Sequence, residues 1–251
     1  MRELVVSGRQ RLDIDSDAAI TVSDGADAVI MVRPRRCIAI SLSIGDGCTV
    51  DCMTIADTPS TLSQENRIGR GSVLRTTSLW LSEGRQKMVN VLSGERSEAY
   101  DMHLFIGKKG DLVIDTTLRH IAKDTKGDVL IKGVVQDGAY AGLDGIVKIE
   151  KGASGAESFI AEHVLLLSPQ ARARARPRLE IENNDVSSRH AASVTPIDKD
   201  KAFYLMSRGI SEKDSGRLIV EGFMLSAIER MPVEAKERIG ARLASELSES
   251  L

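Results

Sequence analysis

The sequence predicts a mainly β protein, a solenoid of stacked strands over residues 1–196 followed by a C-terminal helical tail over residues 197–251. Three observations predict it. Short β-branched runs fill the chain from Leu4 to about Ser188, a glycine turn recurs between them, and the hydrophobic period becomes helical after Ile197.

The runs include Val29-Ile30-Met31-Val32, Cys37-Ile38-Ala39-Ile40, Asp111-Leu112-Val113-Ile114-Asp115 and Val129-Leu130-Ile131-Lys132. Each has the length and the branched, apolar character of a strand, and no long 3.6-residue pattern interrupts them. The turn unit places a glycine and a small or polar residue before apolar residues. It stands at Gly25, Gly47, Gly71, Gly110, Gly127 and Gly152, at intervals of 22, 24, 39, 17 and 25 residues. A period near 20–25 residues marks repeats that stack rung on rung. Glycine supplies the positive φ that a tight corner needs. The uneven spacing excludes a strict hexapeptide coil. A β-sandwich is the rival architecture.

The tail opens with an N-cap candidate, Asp198, a helix body over 199–208 and a C′ glycine, Gly209. Ser211-Glu212-Lys213-Asp214 resembles a capping box. In the helix that follows, Leu218, Ile219, Gly222, Phe223 and Ser226 are expected on one face. Pro232 suits the first position of a third helix, in which Ile239, Leu243 and Leu247 fall four apart.

Composition narrows the function classes. Aromatics are 3% of the chain, so the core must rest on Val, Ile, Leu and Ala. One Trp, three Tyr and four Phe supply a polysaccharide-binding groove poorly. A formal charge of −2 sets up no general attraction to nucleic acid or anionic membranes. Arg172, Arg174 and Arg176 alternate with alanines and form an outward row; without nearby aromatics this reads as a solvated or partner-facing surface. Three cysteines are too few for a disulfide framework and fit a reduced compartment. No signal segment or 18-residue apolar run occurs, and a cytoplasmic location is expected. No Gly-x4-Gly-Lys-Ser/Thr loop occurs, so any ATP hydrolysis is expected from a partner, not from this chain as an enzyme.

The segment from Gly133 to Phe223 carries a resemblance. Its pieces, in order, are Gly133-Val134-Val135-Gln136-Asp137-Gly138-Ala139, Gly142-Leu143-Asp144-Gly145-Ile146-Val147 and Val164-Leu165-Leu166-Leu167-Ser168. Alanines 171, 173 and 175 then precede Pro177-Arg178-Leu179-Glu180-Ile181. Asn184 to Val194, the run from Phe203 to Ile210 and the pair Gly222-Phe223 complete it. This order over about 90 residues resembles the shared core of the SufB/SufD family of iron–sulfur cluster assembly scaffolds. The N-terminal half matches in style alone.

The resemblance implies a right-handed parallel β-helix that dimerises through its C-terminal rungs. It implies terminal helices that dock an ABC-type ATPase, SufC, with Phe203, Arg208, Gly209, Ile210, Gly222 and Phe223 at the contact. Self-packing of the helices onto the last rung is the competing role for these residues, above all for Phe203, and Phe223 is the expected docking anchor. Starting directly in the solenoid, the chain resembles the short scaffolds that lack an N-terminal helical domain. A transient iron–sulfur cluster is the implied cargo; flavin binding is left open.

His190 aligns with the family histidine near the dimer interface, where a neutral imidazole can bind ferrous iron. Glu162 sits near the position of the SufB-type cysteine thought to receive sulfur. His163 should point to the opposite face of the same strand from Glu162. Cys37, Cys48 and Cys52 are weaker cluster or sulfur ligands, better read as small buried hydrophobes. Ala191 stands where SufB-type members have glutamate, and Ser188 where many SufD-type members have cysteine. These departures leave two assignments, a self-sufficient homodimeric scaffold or a SufD-like architectural half paired with a SufB-like chain.

Overall fold

The computed structural model describes residues 1–250, with side chains over 1–248. Sixteen strands alternate between two sheets, every pairing parallel. The first sheet holds the odd strands: β1 (Arg2–Val6), β3 (Ala18–Val22), β5 (Cys37–Ile44), β7 (Ser60–Ile68), β9 (Gly84–Leu92), β11 (Asp111–His120), β13 (Tyr140–Ile149) and β15 (Arg172–Ile181). The second holds the even strands: β2 (Gln10–Ile14), β4 (Asp27–Val32), β6 (Thr49–Ala56), β8 (Val73–Trp80), β10 (Glu98–Gly107), β12 (Lys126–Val135), β14 (Ala156–Leu166) and β16 (Val186–Pro196). Each strand pairs with the one two positions on, which makes a parallel β-solenoid and rules out the sandwich. Partners lie 22 residues apart in the early rungs (Asp24 and Asp46) and 32 apart in the late ones (Asp144 and Arg176). That growth is why the repeat looked irregular in sequence.

Alternation sets the interior. In β11, Leu112, Ile114, Thr116, Leu118 and His120 are buried while the residues between them are not. Inward positions of the rungs stack into an apolar core that runs from Val6 to Ala171, with buried polar side chains among them in the middle rungs.

One corner repeats with fixed chemistry. Positive φ occurs at Gly25, Gly47 and Gly71, and then at Arg96, Asp124 and Gly155. The backbone amides at these six positions donate to Asp46, Arg70, Glu95, Lys123, Ser154 and Asp185 of the next rung. The stacked hydrogen bonds hold Arg96 and Asp124 in a conformation that ordinarily favours glycine. Three glycines of the sequence repeat are not corners of this kind, and of these Gly110 has its positive φ at the turn between β10 and β11. Gly127 lies inside β12, where a Cβ would stand 2.5 Å from Leu118, and the positive φ near Gly152 belongs to Gly155. They are glycines of close packing and of turn length.

The tail does not close the end of the solenoid. It comprises α1 (Lys199–Ser207), α2 (Glu212–Ile228), the short turn α3 (Val233–Ala235), a π-turn (Lys236–Gly240) and α4 (Ala241–Ser250). Residue 251 of the expected tail lies outside the described residues. Asp198 and Ser211 cap α1 and α2 as expected, with Gly209 at φ 87°. From α2 onward the tail lies along the outer face of the second sheet. Val220, Met224, Ala227, Ile239, Leu243 and Leu247 bury against Met31, Met53, Leu79, Met102, Leu104 and Val134. Arg11 in β2 pairs with Glu234 at 2.5 Å, so the tail runs back to the first rungs. These outward Met and Leu positions break polar/apolar alternation in β4 to β12, and they are what the tail covers.

The last rung is consequently left open. β15 and β16 are strands of 10 and 11 residues, each with one long edge unpaired at the end of its sheet. Their inward-facing side chains are only partly covered, and Ile181 and Val194 are exposed. Flat, uncovered edges of this length are templates for another strand.

Candidate functional site

The open end gathers two of the residues singled out from the sequence. His190 sits in β16 opposite Ile160 of β14, and Ala192 sits opposite Glu162. His190 and Glu162 therefore occupy neighbouring inward columns on consecutive strands. His190 is exposed because no rung covers it, whereas Glu162 is fully buried.

Glu162 owes its place to Gly145. A Cβ on Gly145 would stand 2.6 Å from Glu162 Oε1 and 2.2 Å from Ile160 Cδ1. The missing side chain thus makes the room that the carboxyl occupies. Among the described residues neither Glu162 oxygen has a hydrogen-bond partner, and Thr116 Oγ1, on the strand paired at Gly145, is likewise unpartnered. Burial lifts the Glu162 pKa from 4.5 to about 7, only partly offset by the nearby backbone amides of Arg176 and Gly145. A carboxyl in this state gives or takes a proton near neutral pH, and its oxygens are uncommitted. Gly145→Ala is expected to destabilise the fold by about 1–3 kcal/mol, through overpacking against Glu162 and Ile160. Chemical denaturation checks it, and an unchanged midpoint would show that the rung relaxes freely.

His163 points out of the solenoid, as strand alternation required. It bonds Ser193 at 2.8 Å, and burial together with the charge of Lys132 lowers its pKa. It does not join Glu162. The cysteines lie in the early rungs: Cys37 is exposed, whereas Cys48 and Cys52 are buried. Burial raises Cys52 to about 11, which suits an inert core thiol. Among the described residues no three His, Cys, Asp or Glu side chains form a metal-holding group.

A buried polar system further inside went unread in the sequence. Gln64 donates to Asn66 (2.9 Å), Asn66 to Asn90 (2.6 Å) and Asn90 to Asp101 (2.5 Å). Beside it Trp80 and Ser78 donate to Gln86, and His103 Nδ1 meets Ser78 at 2.9 Å. Burial pushes Asp101 up to about 7, and His103 and His120 down to about 4. The signal was present as Thr76, Ser78, Asp101 and His103 at inward positions of β8 and β10. Along the ladders Val129 and Ile160 separate Asp101 from His190, and Ile131 separates His103 from Glu162. The polar interior is therefore insulated from the open end by apolar rungs.

The proposed docking residues divide in a way the sequence did not indicate. Phe203 was the residue most expected to self-pack, yet it is 69% exposed on α1, a helix with no buried residue. Phe223, the expected anchor, packs toward the solenoid with Lys132 Nζ 4.3 Å from its ring centroid. The face shared by Leu218, Ile219, Gly222, Phe223 and Ser226 is not the one that lies flat on the sheet. Leu218 and Gly222 are exposed, and the buried stripe of α2 is Ser215, Val220, Met224 and Ala227. Arg208 and Gly209 are exposed, with Ile210 half-buried beside them. The helix rotates to match the Met-rich sheet face.

Fold and site together define a parallel β-solenoid with an uncapped last rung, an imidazole on that rung and a sealed carboxyl beneath it. Comparison with known families and proteins places this architecture. Residues 4–223 match the family described as "SUF system FeS cluster assembly, SufBD core domain". The chain belongs to that family. The iron–sulfur cluster assembly protein SufD of Bacillus subtilis is 40% identical over 123 residues, covering 49% of this chain and 28% of that protein. A SufBD family protein of Synechocystis is 31% identical over 146 residues, 57% of this chain and 30% of that protein. One of Mycobacterium bovis is 30% identical over 252 aligned residues, 91% of this chain and 62% of that protein. The chain thus spans less than two thirds of the length of these relatives. No described helix is long and apolar enough to cross a membrane.

Proposed function

We propose that this chain is a scaffold of a SUF-type assembly complex, on which a nascent iron–sulfur cluster forms at the open end of the solenoid. The observation that carries the reading is the uncapped last rung, with His190 exposed and the Glu162 carboxyl one strand inside it. A second copy pairing edge to edge along β15 and β16 covers both exposed strands. It also brings two His190 imidazoles into one interface, enlarging a ligand set that a single chain leaves incomplete. The cluster is cargo: imidazole and carboxylate hold ferrous iron more weakly than four thiolates do, which suits release.

The work is supplied by a SufC-like ABC ATPase docking on α1 and the outer face of α2, where Phe203, Tyr204, Leu218 and Leu225 are exposed. The motivating facts are this apolar surface, the missing phosphate loop and the family. Because the tail is laid along the solenoid instead of across its end, movement of α1 reaches the open rung through the short link at Ile197 and Asp198. Co-purification with such an ATPase under anaerobic conditions, followed by iron–sulfide reconstitution, tests the reading. A 2:2 complex that takes up a cluster supports it. A cluster-free 1:1 pairing with a SufB-like chain would instead make this chain the architectural half. Phe203→Asp is expected to weaken ATPase capture at least tenfold with thermal stability unchanged. Equal capture would move the docking surface off α1.

A further inference from the structure

The outer face of the second sheet carries a cavity of about 330 Å³ that cluster assembly does not use. It lies between the strands and the turn joining α2 to α3. Its floor is Met102 and Leu130, and Arg230, Met231 and Pro232 line its helical side. Across the floor runs one outward ladder in which Tyr100 of β10 pairs with Asp128 of β12, and Asp128 with Phe159 of β14. Adjacent strands are about 4.8 Å apart, so a flat ring seated over Asp128 has an aromatic residue about that far on either side. That separation falls within the stacking range of ring centroids.

The polar groups converge on the same place. Asp128 is half-buried; burial raises its pKa, while the charge of Arg230, the backbone amide of Phe159 and the charge of Arg189 oppose the rise. Arg230 acts on Asp128 through space but forms no ion pair with it among the described residues. Lys132 lies close enough to Arg230 that burial and the charge of Arg230 together lower its pKa. The cavity thus offers a two-oxygen acceptor between two rings and an uncommitted guanidinium at its edge.

We propose that this cavity is a purine-nucleotide site, built for a guanine ring between Tyr100 and Phe159 with its phosphate on Arg230. A carboxylate accepts two parallel N–H donors. Guanine presents such a pair in its ring N1–H and 2-amino group, whereas adenine presents the 6-amino group alone. The volume suits a nucleoside monophosphate. No bond is made or broken; the ligand bridges the solenoid and the tail, and it holds the α2–α3 turn against the sheet. The inference stands apart from the cluster-assembly reading, because binding is measured on this chain alone.

The experiment is calorimetric titration of the intact chain with GMP, AMP and guanosine, joined to hydrogen exchange. GMP is expected to bind at least tenfold more tightly than AMP or guanosine and to slow exchange across residues 229–233. Asp128→Asn should weaken GMP at least tenfold. Arg230→Ala should reduce GMP to the level of guanosine while leaving guanosine unchanged. Asp128 is half-buried on the outer face and Arg230 is exposed, so both variants should fold. Absence of GMP binding at millimolar concentration overturns the proposal, as does equal affinity for AMP. Binding that both variants leave unchanged places the ligand elsewhere and overturns it too.

Discussion

Replacing His190 with alanine is expected to abolish cluster formation while the protein and its complex stay intact. His190 is exposed on an uncapped strand, so its loss leaves no cavity and no orphaned partner. Stability should change by no more than about 0.5 kcal/mol. The effect on cargo should be large because, among the described residues, no three metal-holding side chains come together, and each remaining ligand is therefore hard to replace. Anaerobic reconstitution read by absorbance and bound iron measures it. His190→Cys should recover part of the yield, since a thiolate also binds iron. Full cluster yield in the alanine variant would take His190 out of the ligand set.

Glu162→Gln should make the protein more stable at alkaline pH and less able to build a cluster. Ionising a buried carboxyl whose folded pKa is about 7 against 4.5 when unfolded costs about 3 kcal/mol. The sign follows from proton counting. A raised folded pKa gives stability that is whole below pH 4.5 and lost as pH climbs through 7. Asp101, also at about 7, acts in the same direction. His103 and His120, lowered to about 4, act in the opposite one: their contribution is whole above 6.5 and lost as pH falls toward 4. Between pH 5 and 6 the folded state holds two extra protons on acids and the unfolded state two on histidines. Stability of the parent protein should therefore be nearly flat there. Removing Glu162 unbalances the count by one proton, so stability should rise by about 1.4 kcal/mol per pH unit in that window. Urea midpoints at pH 5, 6 and 8 decide it. A flat profile in the variant would mean that Glu162 is already ionised or hydrated in the fold. The fold holds this carboxyl at that cost in room made by a glycine.

The two expectations differ in what they require. On the proposed reading His190 acts at an interface, and its variant should be silent in a monomer's stability. Glu162 is legible in the monomer, because its environment is already closed by the rung above. Measured together, they separate a defect of ligation from a defect of folding.

Much of the architecture was readable because it is local. Strand alternation in β11, the glycine corners at 25, 47 and 71, and the caps Asp198 and Ser211 are all set by residues within a few positions of one another. The same alternation correctly put His163 on the face opposite Glu162. The resemblance over Gly133 to Phe223 added the family, which no periodicity contains.

Tertiary structure decided the rest, for the reason that burial is a property of neighbours distant in sequence. Glu162 and His190 occupy adjacent inward columns, yet one is sealed and the other bare, because a rung lies above the first and nothing lies above the second. Phe203 and Phe223 look alike in a helical pattern. Only the Met-rich outer face of the second sheet, contributed by residues more than a hundred positions earlier, selects which is buried. Arg96 and Asp124 take a glycine's conformation because stacked turns above and below hold them there. The sequence by itself determined the rungs, their corners and the helices. The packing of rung on rung and of tail on sheet determined which end stays open and which side chains it leaves bare.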